Sequence, residues 1–299
     1  MLTMNHRLDG LFPPVTTPFD EEGNLLINHF EENLDRWAAF DLAGLLVLGS
    51  NAETPCLSDE ERLTLVRTAR PKIPAEKSMI VGAGRESTRH TMEFIRRIAD
   101  LGADYALVGM PCYFKPLMTD QALFAHYWTI ADEAQIPILI YSVPQFTGIH
   151  ASAGLIEKLS AHENIAGMKD SGGSLPFEAE VRRRTHPRFK LLVGSALTLF
   201  PSLVQGANGG IVAISGSLPQ MTIDLYQSFR EGNWQQAAEI QERLAPLASA
   251  VTASLGIPGL KASLDLMGFY GGPPRPPLLP LDPDQRNGIA VLFRQAGVL

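Results

Sequence analysis

Of the seven lysines in this chain, one ends an apolar run: Lys169, in IAGMKD (165–170). Lys72 and Lys77 flank a proline-interrupted connection, Lys158 lies on a helix face and Lys115 in a loop. Lys190 starts a run, and Lys261 follows a Pro-Gly step. An amine at the end of a buried strand loses the hydration that its charged form needs. A neutral amine attacks a ketone and forms a Schiff base. The competing reading is a lysine paired with Asp170 or another carboxylate. Tyr141 ends the preceding run, PILIYSV (137–143). A phenol there would relay protons while an imine forms, or would serve as a core tyrosine with a satisfied hydroxyl. Ser50 and Asn51 follow GLLVLG (44–49) in a polar loop that leads to a helix. Their hydroxyl and backbone N–H groups suit a carboxylate, or ordinary loop hydrogen bonding. Ser171 has the same two readings, a bond to substrate or a bond within its loop. Cys112 has no histidine beside it in any motif and reads as an inert thiol.

For these side chains to meet, the runs that carry them must lie side by side. Eight apolar runs recur at intervals of about 20 to 35 residues: LFPPVTTPF (11–19), GLLVLG (44–49), SMIVGAG (78–84), YALVGM (105–110), PILIYSV (137–143), IAGMKD (165–170), KLLVGS (190–195) and GGIVAIS (209–215). Helical pattern fills the gaps. Ser58 and Glu61 read as a capping box. Ser87 opens a helix over 88–101 that Gly102 closes, and Thr119 opens one over 120–134. Ser174, with Pro176 and Glu178 in the first turn, opens a helix over 175–184.

Eight strands that each lead into a helix predict a (β/α)8 TIM barrel. The alternative, a doubly wound sheet, wants a Gly-rich phosphate turn after its first strand, where Pro13 and Pro14 stand. Barrel chemistry sits at the C-terminal strand ends, where Ser50, Asn51, Tyr113, Tyr141, Lys169 and Ser171 fall. Val212, in the eighth run, is counted with the residues that contact substrate. Gly194-Ser195 and Ser215-Gly216-Ser217 are expected to line the distal pocket. Residues 219–299 have no strand signal and read as helices over about 219–230, 233–253, 258–268 and 284–296. The expected organisation is a barrel over 1–218 that carries the site, with a C-terminal helical extension over 219–299.

Composition narrows the class of function. Apolar residues make up 45% of the chain and charged residues 19%, which suits a large packed core. A net charge of −7 argues against nucleic acid as the main partner. No apolar run reaches the roughly 18 residues of a membrane span. The start, MLTMNHRLDG, lacks the apolar segment of a signal peptide, so the expected location is the cytoplasm. Two cysteines and seven scattered histidines, with no HExxH-like pair, signal neither a disulfide framework nor a metal centre. No cofactor is implied.

Taken jointly, six motifs resemble the pyruvate-dependent class I aldolase superfamily of dihydrodipicolinate synthase and N-acetylneuraminate lyase. They are PPVTTPF (13–19), GSNAE (49–53), PCYF (111–114), the YSVP and TG of 141–148, GMKDSGG (167–173) and GIPGLK (256–261). They keep the family's order and span nearly the whole chain. The resemblance implies Lys169 as the Schiff-base lysine and Tyr141 as proton relay. It implies that the GSNAE loop, with Ser50 and Asn51, binds the carboxylate of a 2-oxo acid such as pyruvate, with an aldehyde as the other partner. It further implies a homotetramer built from dimers, in which Tyr113 reaches into the neighbouring subunit's site.

Subfamily is read from fewer residues. The synthases carry an arginine two residues after the proline of their YNVP motif, and that arginine holds a carboxylate. Here Pro144 is followed at that distance by Phe146, and a phenyl ring makes no bidentate contact. YSVP, GMKDSGG, and GIPGLK followed by GFYGGPPRPPL (268–278) look most like 4-hydroxy-2-oxoglutarate aldolase. The alternatives are 4-hydroxy-tetrahydrodipicolinate synthase, with Arg85 as a possible substitute anchor, a deoxy-oxo sugar-acid aldolase or dehydratase, and a non-catalytic 2-oxo-acid binder. Ala52 stands where the family has glycine. A need for positive φ there would cost alanine about 1 kcal/mol or more.

Overall fold

The computed structural model describes residues 8–299. Its strands are β1 (Gly10–Leu11), β2 (Gly44–Val47), β3 (Ser78–Gly82), β4 (Tyr105–Gly109), β5 (Ile138–Ser142), β6 (Ile165–Asp170), β7 (Lys190–Val193) and β8 (Gly209–Gly210). All pair in parallel, in the order β1-β8-β7-β6-β5-β4-β3-β2. The ring closes between β1 and β2. The Leu46 N–H donates to the Pro13 carbonyl and the Val15 N–H to the Leu46 carbonyl, each at 3.0 Å. The fold is a (β/α)8 TIM barrel. The first apolar run is longer than its ladder because Pro13, Pro14 and Pro18 have no N–H to donate. The eighth ladder is only two glycines long. A Cβ on Gly209 would collide with the Gly10 carbonyl, so the backbones of β8 and β1 approach only without side chains there.

The helices are α1 (Ile27–Ala38), α2 (Asp59–Ala69), α3 (Thr88–Asp100), α4 (Asp120–Glu133), α5 (Pro144–Thr147), α6 (Ala153–Leu159), α7 (Leu175–Arg184), α8 (Leu199–Val204), α9 (Pro219–Arg230), α10 (Trp234–Ala248), α11 (Gly256–Leu266) and α12 (Pro283–Gln295). Their starts follow the caps in the sequence. Ser58 and Glu61 form the reciprocal capping box of α2. Ser87, Thr119 and Ser174 accept the N–H groups of His90, Ala122 and Phe177. Each cap satisfies a donor that the first helical turn leaves free, a contribution of about 1 kcal/mol.

Alternation along the strands makes two cores. Leu46, Ile80, Leu107, Leu139, Leu192 and Ile211 fill the barrel interior with Phe12. Val47, Val81, Val108, Ile140, Met168 and Val193 pack outward against the helices. The expected boundary at 218/219 falls at the start of α9, which packs against α8 and β1. Helix α10 lies against α8 and α9. Pro246 interrupts the N–H ladder of α10, and the chain widens into a π-helical turn over Ser249–Ser254 where the sequence pattern predicts continuous helix. Helix α11 packs against that turn and against α12. Among the described residues, no helix is long and apolar enough to cross a membrane.

Candidate active site

Strands β5 and β6 set the centre of the site. Their register pairs Tyr141 with Lys169, so both side chains point into the barrel near its C-terminal rim. Both are buried, at 9% and 4% exposure. The Lys169 Nζ lies 4.4 Å from the centre of the Tyr141 ring. The Tyr141 hydroxyl lies 3.2 Å from Ser50 Oγ, which the β2–α2 loop brings to the same mouth. Asp170 follows Lys169 in the strand and so faces the other way. Among the described residues Lys169 makes no ion pair, which removes the structural reading of this lysine as a partner of Asp170. Burial raises the Asp170 carboxyl above its usual range, against the Ser142 hydroxyl and the Gly172 and Gly173 N–H groups. Behind it, burial pushes the Glu178 carboxyl up to about 7, with Asp170 adding to the rise.

The GSNAE loop holds a 3-10 turn, Ser50–Ala52, with left-handed backbone at the residue two before it and at the residue that follows it. These are Leu48 (φ 58°) and Glu53 (φ 56°). Each costs on the order of 1–3 kcal/mol, the kind of strain that gathers at functional loops. Ala52 is not one of them, so alanine is accommodated without a backbone penalty. Its carbonyl accepts Thr17 Oγ1 at 2.7 Å, and the Gly49 carbonyl accepts Thr54 Oγ1 at 2.8 Å. Asn51 Nδ2 is buried without a partner, a donor available to a ligand.

A cavity of about 170 Å³ gathers Ser50, Asn51, Tyr141, Lys169 and Ser171. Gly194 and Ser195 line it, as expected. Two other expectations fail. Val212 is fully buried in the outer core, while Ile211 and Ala213 on either side of it line the cavity. Alternation past the short β8 ladder turns Val212 outward. Ser215 and Ser217 are also away from the cavity; their hydroxyls donate to the Val212 and Ile214 carbonyls inside a 3-10 turn. Tyr113 stands outside the cavity and is 79% exposed. Its loop is held by Glu86, whose carboxylate accepts the N–H groups of Cys112 and Tyr113 at 2.8 and 2.9 Å. Burial and that same carboxylate keep the Cys112 thiol above its ordinary range, as suits an inert thiol.

Sequence reasoning missed the contribution of the extension. The π turn carries Thr252 and Ala253 to the cavity, next to Ala248. Pro246 inside an otherwise helical pattern was the one available signal. Gln145 and Leu197 also line the cavity, as does Phe146, which is 68% exposed. Lys169 is the one cation among the described residues that line it. Arg85 lines a neighbouring cavity of about 630 Å³ that shares Ser50, Tyr141 and Phe146. It is tied there by Asp59 at 2.9 Å and the Gly84 carbonyl at 3.1 Å, and by stacking 4.0 Å over Phe94. Among the described residues no cluster of His, Cys, Asp and Glu is arranged to hold a metal ion.

Comparison with known proteins identifies the family and agrees with the fold. The dihydrodipicolinate synthetase family matches residues 7–296. A 4-hydroxy-tetrahydrodipicolinate synthase of Archaeoglobus fulgidus is 33% identical over 288 residues, which cover 96% of this chain and 97% of that one. The crystal structure of dihydrodipicolinate synthase from Thermotoga maritima superposes with a TM-score of 0.92 at 28% identity, covering 98% of this chain and 100% of that one. A prophage protein of the same family from E. coli K12, solved in complex with pyruvate, gives 0.91 at 27% identity, with 98% and 99% covered. The chain belongs to the dihydrodipicolinate synthetase family and is a lyase of the class I aldolase kind. The name of the Archaeoglobus relative matches the synthase alternative, not the 4-hydroxy-2-oxoglutarate aldolase that the motifs most resemble.

Proposed function

We propose that this enzyme makes or breaks a carbon–carbon bond beside the keto group of pyruvate, through an imine on Lys169. The observation that carries the reading is the buried Lys169 amine beside Tyr141, whose hydroxyl meets Ser50. Pyruvate enters with its carboxylate toward Ser50 and the unpartnered Asn51 amide. The Lys169 amine adds to the keto carbon, and Tyr141 passes a proton to the oxygen, which leaves as water. Loss of a proton from the methyl carbon gives an enamine. Its carbon attacks an aldehyde, whose oxygen takes up a proton; water then releases the product. Cleavage runs the same steps backwards. The bound pyruvate of the E. coli K12 relative supports this choice of 2-oxo acid. Borohydride with pyruvate should add the reduced adduct mass to the peptide that holds Lys169. Label on a different lysine, or none, would overturn the mechanism.

For the second half of the reaction, the proposal is cleavage of a compact hydroxy-oxo acid such as 4-hydroxy-2-oxoglutarate, supported by the motif resemblance and by the cavity lining. The cavity is small, and Ser171 and Ser195 offer uncharged donors at its distal side in place of a guanidinium. With Phe146 at the position where the synthases carry arginine and Arg85 tied to Asp59, the second carboxylate of either substrate meets hydroxyls in this cavity, and the absence of that arginine counts against the synthase reaction. A second reading, condensation with aspartate semialdehyde, is supported by the name of the Archaeoglobus relative. Comparison of kcat/KM for the two reactions decides between them. Condensation faster by tenfold or more would make the chain a synthase with another anchor. The same proposal includes assembly into a tetramer, for which Tyr113, Phe114 and Leu117 offer an exposed apolar face.

A further inference from the structure

We infer that Glu53 and Lys261 are a positioning pair that fixes the Ser50–Asn51 turn for the substrate carboxylate. The inference rests on the carboxylate-binding role proposed above for that turn. Glu53 closes the turn: its N–H donates to the Ser50 carbonyl at 3.0 Å, and its own backbone is left-handed, with φ 56°. Left-handed backbone is disfavoured for a glutamate, so its conformation needs support from the side chain. That side chain lies 2.7 Å from Lys261 Nζ on α11, with the two side chains 0% and 1% exposed. Lys261 Nζ also donates to the Pro273 carbonyl at 2.7 Å and lies 4.6 Å from the centre of the Phe19 ring. The second Glu53 oxygen accepts the Arg275 N–H at 2.7 Å. The Arg275 guanidinium in turn reaches Glu61 of α2 at 2.7 Å. One carboxylate beneath the turn thus binds both α11 and the strap that follows it.

Stability alone does not call for this arrangement. A buried ion pair loses the hydration of both charges, and apolar residues of the same volume are often as stable or more so. What the pair supplies is direction. A charge buried against one partner has one low-energy place to sit, and the turn built on it inherits that place. Glu53 does not line the cavity that holds Lys169, so it does not touch substrate there. It acts through Ser50 and Asn51, and the C-terminal extension becomes part of the carboxylate site although none of its charged residues lines that cavity.

The test is the half-saturating pyruvate concentration for borohydride trapping on Lys169, which needs no knowledge of the aldehyde. Glu53→Gln should raise it at least tenfold, while the trapping rate at saturating pyruvate stays within about threefold of the parent. A folded Glu53→Gln protein with a lower Tm but a half-saturating concentration within twofold of the parent would show a purely structural pair and overturn the inference. If that variant does not fold, Glu53→Gln with Lys261→Met leaves no unpaired buried charge and is judged by the same values. Ser50→Ala runs beside them as the control for the underlying reading. No rise with Ser50→Ala means that the turn does not bind the carboxylate. A rise with Ser50→Ala but none at Glu53 means that the turn binds it without needing the pair.

Discussion

The Tyr141 hydroxyl and the Ser50 hydroxyl meet at 3.2 Å, although 91 residues separate them in the chain. The contact joins the end of β5 to the loop after β2, so the phenol that faces Lys169 also touches the turn proposed to hold the carboxylate. In the class I aldolase reading, proton transfer and carboxylate binding share one hydrogen-bonded pair. In that reading, a 2-oxo acid held at the turn would present its keto oxygen to the phenol.

Tyr141→Phe should keep the fold, because the ring still fills the barrel interior and only the hydroxyl is lost. Turnover should fall roughly 10²- to 10⁴-fold, the usual contribution of a positioned proton-transfer group. Imine formation, followed by borohydride trapping, should slow as well. Turnover within a few-fold of the parent would remove Tyr141 from the reaction.

Ser50→Ala should act on binding more than on chemistry. A hydrogen bond to a charged group contributes about 1.5–3 kcal/mol, so KM for pyruvate should rise roughly 10- to 150-fold. Steady-state kinetics at saturating aldehyde separate the two constants. A fall in kcat with unchanged KM would assign Ser50 to the proton path alone.

The centre of the site was legible because strand ends are legible. Lys169 and Tyr141 close apolar runs, and parallel pairing of those runs brings them together. The helix starts were legible from Ser58, Ser87, Thr119 and Ser174, since capping is local chemistry. What was not legible depends on distant partners or on where a ladder stops. The sequence places Val212 among the substrate contacts, yet the direction of its side chain is set by the end of the β8 ladder at Gly210. Thr252 reaches the cavity because a π turn replaces regular helix after Pro246. Positive φ falls on Glu53 within the GSNAE loop and on Leu48 just before it, not on Ala52. Only the contacts of Glu53 with a helix near the other end of the chain account for its position.

Glu178 makes stability depend on pH. Its carboxyl is raised from 4.5 to about 7 by burial, so the native state keeps a proton that the unfolded chain has lost between those values. Stability from this group is full below the unfolded value, declines as pH rises through about 7 and stays low above it. Glu178→Gln has no proton to lose. Its stability relative to the parent should therefore improve by about 3 kcal/mol between pH 4 and pH 8. Thermal unfolding at both pH values checks this. An equal difference at both would mean that Glu178 does not titrate in that window.

The proposed assembly has a surface on which it can be tested. Tyr113, Phe114 and Leu117 are 79%, 64% and 68% exposed in the single chain, and apolar side chains gathered in this way are unusual on a monomer. Sedimentation should show an oligomer, and Phe114→Glu should shift it toward smaller species. A parent chain that sediments as a monomer at working concentration would leave Tyr113 with no role across an interface.

Phe146→Arg tests the choice of aldehyde directly. Phe146 lines the cavity and is largely exposed, so a guanidinium at this position fits without disturbing the core. It would supply the charged partner for a carboxylate that the cavity otherwise meets with hydroxyls. A charge-assisted hydrogen bond of this kind contributes about 1.5–3 kcal/mol, which predicts a roughly 10- to 150-fold gain in kcat/KM for condensation with aspartate semialdehyde. An aldehyde without a carboxylate, such as glycolaldehyde, should gain nothing and serves as the internal comparison. Gain with both aldehydes would mean that the substitution acts on the pyruvate half of the site. No gain with either would mean that the carboxylate of the second substrate does not pass Phe146, and its anchor would have to lie on the Ser171 and Ser195 side of the cavity.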